Sequence, residues 1–277
     1  MSRILVVEDD RATRHLLGEV LKNAGHEVTT AKDGAGALKE VEGGAFDLML
    51  LDIWMPKMNG LEVLAHLKDV EPRPRIVVMT SDDTPETLLS AVREQAYEFV
   101  KKPVQPADLV ALVGHALAAK SEPPGIEVVS ARPDWIELLV PCDRESAARI
   151  QGFLAHLDTA LPEDVRESIG YAFRELLLNA VEWGGKLDPS RKVRIAYLRA
   201  KRMLLYRIAD PGSGFSFEGL LHAAVGQPAD QPIAHMEERE KMGIRPGGFG
   251  ILTVRAKVDE LLYNEAQNEV VFVKYLD

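Results

Sequence analysis

Three acids in a row, Glu8, Asp9 and Asp10, directly follow the apolar run at residues 4–7. Asp52 closes a second apolar run at 47–51, Thr80 closes a third at 75–79, and Lys101, Lys102 and Pro103 follow a fourth at 97–100. Carboxylates gathered in one place repel each other unless a cation neutralises them. Two or three carboxylates plus water suit Mg2+, a hard ion that seeks oxygen and keeps part of its hydration. Beside such an ion Asp52 can attack a phosphoryl donor, with Lys102 and the Thr80 hydroxyl on the phosphoryl oxygens. Asp10 precedes a helical pattern and reads as its N-cap.

A second set lies further on. Glu175 and Asn179 are i, i+4 neighbours on a helical stretch whose apolar stripe includes Ile169, Phe173, Leu176 and Leu177. DPGSGF at 210–215 follows an apolar run, and GGFGI at 247–251 opens a helical pattern. Glycines let a backbone approach a ligand closely, and a helix N-terminus presents free N–H groups that suit phosphates. On spacing alone the Glu–Asn pair reads equally as a solvated helix margin, and each glycine cluster as a plain turn. The single cysteine, Cys142, excludes an intramolecular disulfide and a cysteine-based zinc site, and reads as a small buried hydrophobe.

The elements that must position these residues divide into two sets. Up to residue 120, strand-like runs at 4–7, 26–30, 47–51, 75–79 and 97–100 alternate with amphipathic stretches near 11–24, 34–42, 59–69, 85–94 and 106–119. That alternation predicts an α/β, flavodoxin-like (βα)5 domain, with a parallel sheet of order 2-1-3-4-5 and a site at the carboxyl ends of its strands. SEPPGIE at 121–127 reads as a stiff linker. Residues 128–277 read as strand 135–141, helices 144–158 and 163–183, a hairpin of strands 192–199 and 203–209, a long irregular stretch, helix 248–257, and strands 261–264 and 269–275. This order predicts helices on one face of a mixed or antiparallel sheet, an α/β sandwich.

The motifs of the first part, VVEDD, DIWMPKMNG, Thr80 and Lys102-Pro103, are similar to a receiver domain of two-component response regulators over about residues 2–119. The resemblance implies Asp52 as phosphoacceptor. It implies Mg2+ held by Glu8, Asp9, Asp52 and the backbone carbonyl of Trp54, Thr80 and Lys102 on the phosphoryl group, and Phe99 with Thr80 as the switch pair. Gln95-Ala96 departs from the Gly-Ala often found before the switch aromatic. RELLLNAVEWG (174–184), DPGSGF and GGFGI together resemble the GHKL (Bergerat-type) ATP-binding fold of histidine kinases, and within it the anti-sigma factor serine kinases. That resemblance implies Asn179 on the Mg2+ of the nucleotide, Glu175 as general base, Asp210 on the adenine amino group, Gly212 and Gly214 along the base, and Gly248 and Gly250 facing the phosphates. Trp183 stands where a His is often found, and its place on the apolar stripe implies packing. Residues 216–246 would be the ATP lid.

The formal charge of −10 divides equally between the parts before and after residue 120, a poor balance for a protein whose main partner is DNA or an anionic membrane. No apolar run approaches the ~20 residues of a membrane span. The acids after the first apolar run are unlike a signal peptide, so the expected location is cytoplasmic. Both resemblances together imply an upstream histidine kinase, an ATP-dependent protein serine/threonine kinase acting on a STAS-type anti-anti-sigma protein or an anti-sigma factor holding a sigma factor, and a homodimer. The alternatives are an ATP-binding partner switch without kinase activity, or a histidine kinase with His156 as phosphoacceptor, for which residues 128–162 leave room for only one helix.

Overall fold

The computed structural model describes residues 1–68, 70–81, 84–118, 125–132, 134–157, 161–215 and 249–276. The chain forms two compact units, Met1–Pro123 and Pro124–Asp277. The first runs β1 (Arg3–Val7), α1 (Arg11–Asn23), β2 (Glu27–Ala31), α2 (Gly34–Gly43), β3 (Leu48–Asp52), α3 (Gly60–His66), β4 (Arg75–Thr80), α4 (Pro85–Arg93), β5 (Glu98–Lys101) and α5 (Pro106–Ala118). Its five strands pair in parallel in the order β2-β1-β3-β4-β5.

Helices on both faces explain why β3 is buried at every position rather than at alternate ones. Ile4, Val6, Leu48, Leu50, Val77 and Met79 pack with Leu17 and Leu21 of α1 and Leu109 and Val113 of α5. The register sets Val7 beside Leu51, Asp52 beside Met79 and Thr80 beside Lys101, so the strand ends finish on one edge. Asn59 caps α3 in a reciprocal box with Glu62. The helix stops at His66, short of the expected 69.

The second unit runs β6 (Glu127–Arg132), β7 (Trp135–Pro141), α6 (Arg144–Leu157), α7 (Glu163–Asn179), a π turn (Ala180–Gly184), β8 (Lys192–Ala200), β9 (Met203–Ala209), α8 (Gly250–Lys257), β10 (Glu260–Tyr263) and β11 (Glu269–Tyr275). Its sheet has the order β10-β11-β9-β8-β7-β6 and every pairing is antiparallel. Ile136, Leu138 and Val140 on β7, and Leu204, Tyr206 and Ile208 on β9, are buried at alternate positions, as a sheet covered on one face requires. Tyr206 stacks on Phe272 at 4.9 Å and meets Phe173 of α7 at 5.4 Å. Intervening positions carry the ion pairs Arg194–Glu137 (3.0 Å) and Arg207–Glu269 (2.7 Å).

Two expectations need correction. β6 begins at Glu127, the last residue of the expected linker. It is an edge strand, alternately exposed and half-buried over most of its length, and has no long apolar run to announce it. The helix expected over 163–183 is α-helical only to Asn179. It then widens, with Gly185 N donating to Ala180 O at 2.8 Å across five residues. Each residue of a π turn rotates less than in an α-helix, which carries Trp183 off the apolar stripe. Trp183 is half-exposed, at 49%, rather than buried with the stripe. No described helix is long and apolar enough to cross a membrane.

Candidate functional site

At the carboxyl edge of the first sheet, Glu8 follows β1 and Asp52 ends β3. They are only 2% and 3% exposed, while Asp9 is open to solvent. Oxygens of Glu8, Asp9 and Asp52 lie within 4.8 Å of one another. This all-oxygen, anionic set fits a hard divalent ion. Lys102, just beyond β5, places Nζ 2.7 Å from Glu8 Oε2 and 2.9 Å from Asp52 Oδ1. Burial, then the Asp52 charge, push the Glu8 carboxyl above its ordinary range, with Lys102 opposing. Burial alone would lower Lys102, but its bonds to Glu8 and Asp52 outweigh this and hold the ammonium above its usual value.

The loops around this edge are tied down. Arg14 donates to the carbonyls of Glu8 (2.6 Å) and Asp9 (3.0 Å), and Asp10 caps α1 by accepting from Thr13 N at 2.8 Å, as expected. Trp54 N donates to Asp52 Oδ1 at 3.4 Å, and Gly60 N closes the β3–α3 loop onto Ile53 O at 2.8 Å. Thr80 is buried at the end of β4, where its carbonyl accepts from Lys102 N at 2.8 Å. Phe99 is buried on β5. The structure thus gathers Glu8, Asp9, Asp52 and Lys102 directly, and sets Thr80 and the Trp54 backbone beside them.

In the second unit, Asp210 follows β9 and is half-buried. Burial raises its carboxyl above the ordinary range, while Gly212 N–H, which donates to Oδ1 at 2.7 Å, and the Arg191 charge work against the rise. Gly214 has φ +85°, and a side chain there would overlap the Ala266 carbonyl. Glu175 and Asn179 lie on the last turns of α7, both half-buried. Gly250 opens α8 against Glu175. Gly248 and the expected lid at 216–246 lie outside the described residues. Cys142 is fully buried and its thiol is pushed up to about 11, chiefly by burial. His156 sits within α6, its Nδ1 2.7 Å from Gly152 O.

Sequence reasoning missed three supports of Asp210. Asn268 accepts Asp210 N at its carbonyl (2.8 Å) and donates Nδ2 to Gly212 O (2.9 Å). Arg191 donates to Pro211 O. Gly184 ends the π turn so close that a Cβ would overlap the Asp210 carboxylate, a cradle that only glycine leaves open. Gly184 had a local signal, as the last residue of the RELLLNAVEWG motif. The other two depend on how neighbouring strands of the sheet pair.

Family models match both units. The description "Response regulator receiver domain" covers residues 4–114, and "Histidine kinase-like ATPase domain" covers 140–274. Fold and site together define a receiver domain followed by a histidine kinase-like ATPase domain. The DNA-binding transcriptional regulator NtrC of Azospirillum brasilense is 34% identical over 131 residues, 47% of this chain and 27% of that protein. The chain thus spans about a quarter of that relative's length. The DNA-binding response regulator MtrA of Mycolicibacterium smegmatis is 31% identical over 203 residues, 72% of this chain and 87% of MtrA. A crystal structure of the NtrX receiver domain from Brucella abortus is 34% identical, covering 42% of this chain and 99% of its own, with a TM-score of 0.40. The chain belongs to the response regulators. A receiver and a kinase-like ATPase domain in one chain support phosphorylation-regulated signalling.

Proposed function

We propose that the receiver takes a phosphoryl group from an upstream histidine kinase and thereby controls an ATP-dependent protein serine/threonine kinase in the second unit. Its substrate would be a STAS-type anti-anti-sigma protein. The observation that carries the phosphoacceptor half of this reading is the edge where Glu8, Asp9, Asp52 and Lys102 meet. An Asp52 oxygen bonds to phosphorus as the bond between phosphorus and the donor's histidine nitrogen breaks, which leaves an acyl phosphate. Lys102 Nζ, 2.9 Å from Asp52, meets the charge on the transferred group, and Thr80 reads it from the adjoining strand. Glu8, Asp9, Asp52 and the Trp54 carbonyl hold Mg2+, which supplies charge neutralisation to this step.

In the second unit the half-buried Asp210 carboxylate accepts from the adenine amino group, with Gly212 and Gly214 passing the base. Asn179 would hold the nucleotide's Mg2+, Gly250 would face the phosphates, and Glu175 would take the proton of the substrate hydroxyl. The match of residues 140–274 to an ATPase domain supports an output that handles ATP, although MtrA and NtrC are named as DNA-binding. Labelled acetyl phosphate and labelled γ-phosphate test the two halves. Asp52→Ala abolishes labelling from acetyl phosphate, and Glu175→Ala binds ATP but passes no label to a STAS partner. Label that persists on the first variant removes the receiver role. A wild type that binds ATP and never transfers it leaves a partner switch without kinase activity.

A further inference from the structure

Gly250 is the first residue of α8, where the phosphate-facing role uses its N–H. The side-chain direction of residue 250 points at α7. A Cβ built there would overlap Glu175 Oε2, with Cδ 3.3 Å and Cγ 3.8 Å away, and these three nearest atoms all belong to Glu175. The two helices are fastened again further along, where Lys257 Nζ lies 5.6 Å from the Tyr171 ring centroid. Tyr171 is about one turn before Glu175 and Lys257 about two turns after Gly250, so α7 and α8 run antiparallel with Glu175 at the α8 N-terminus. The first N–H groups of a helix have no partner within it, and the positive end of its dipole favours a carboxylate.

We propose that Gly250 is a positioning residue for Glu175. Its missing side chain is the slot in which the carboxylate rests, while its N–H is left to the phosphate-facing role. The proposal rests on the general-base reading of Glu175. A glutamate carboxylate swings about three side-chain torsions, and the α8 backbone is the wall that sets how far it reaches. A methyl group at 250 drives it out of line without removing it. The base thus adds its own reason for glycine at this position.

The test compares the full chain as wild type, Gly250→Ala, Glu175→Asp and the double variant. Three quantities are measured with Mg·ATP: the saturating rate of hydrolysis, the ATP concentration at half-saturation, and the thermal unfolding midpoint. Gly250→Ala is expected to slow the saturating rate about 100-fold, the scale of an ångström-sized misplacement, with little change in half-saturation. Glu175→Asp, whose shorter stem withdraws the carboxylate, slows the wild type but speeds Gly250→Ala. The unfolding midpoint shows the same reversal of sign. Independent effects in both rate and midpoint, with no rescue by the shorter acid, overturn the proposal. If Glu175→Gln leaves the wild-type rate unchanged while the midpoints stay coupled, the contact stands and the general-base reading falls.

Discussion

At the scale of single residues, burial and hydrogen bonding give Asp210 and Glu8 a different character from the many surface acids. Burial raises Asp210 above its usual 3.8. A carboxyl that holds its proton more tightly when folded favours the folded state below the ordinary range, and that contribution is lost as pH rises through the raised value. Asp210→Asn is therefore expected to gain stability relative to wild type between acid and neutral pH. It should also weaken ATP binding about ten- to hundredfold, the scale of a hydrogen bond to a charged group. Urea unfolding across pH and calorimetry with Mg·ATP check the two halves. Glu8, Asp9, Asp52, Thr80 and Lys102 were legible in the sequence because each follows or ends an apolar strand run, and parallel strands deliver their ends to one edge. Asn268 and Arg191 were not legible, because their roles arise from contacts across 56 and 20 residues.

At the scale of elements, the alternation of apolar runs and amphipathic stretches located every strand of the receiver. β6 escaped because an edge strand needs no continuous apolar run, and the π turn escaped because hydrophobic spacing reports a stripe, not a change of pitch. Gln95 has φ +59°, so a side chain bears the left-handed geometry that glycine adopts without strain, which is why glycine suits this position. The joint between the end of β9 and the β10–β11 turn is tighter still. Gly214→Ala is expected to destabilise the second unit by about 1–3 kcal/mol, since it joins φ +85° to an overlap with the Ala266 carbonyl. Urea unfolding followed by a probe in each unit should show the loss in residues 124–277 and not in residues 1–123.

At the scale of the whole molecule, the chain holds two compact units, each with its own candidate site. Asn179→Ala is expected to weaken Mg·ATP binding while Asp52 still takes label from acetyl phosphate at its normal rate. Equal loss in the two assays would contradict two separate metal-dependent sites. The even division of the acidic charge agrees with two units that each carry acids at a candidate site, Glu8, Asp9 and Asp52 in one and Glu175 and Asp210 in the other. The fold class of each unit was readable before any coordinate. The arrangement around Gly184 and Gly250 was not, because it depends on how closely neighbouring elements approach.

Lys102 has one more consequence. With Nζ 2.7 Å from Glu8 and 2.9 Å from Asp52, the acidic edge carries its own tethered counter-ion. A metal ion arriving there would compete with a rival whose effective concentration is fixed by the chain itself. Such a contest would lower the affinity of the edge for the ion, and would tie the freeing of the ammonium, and hence its readiness to meet a phosphoryl group, to the arrival of the ion.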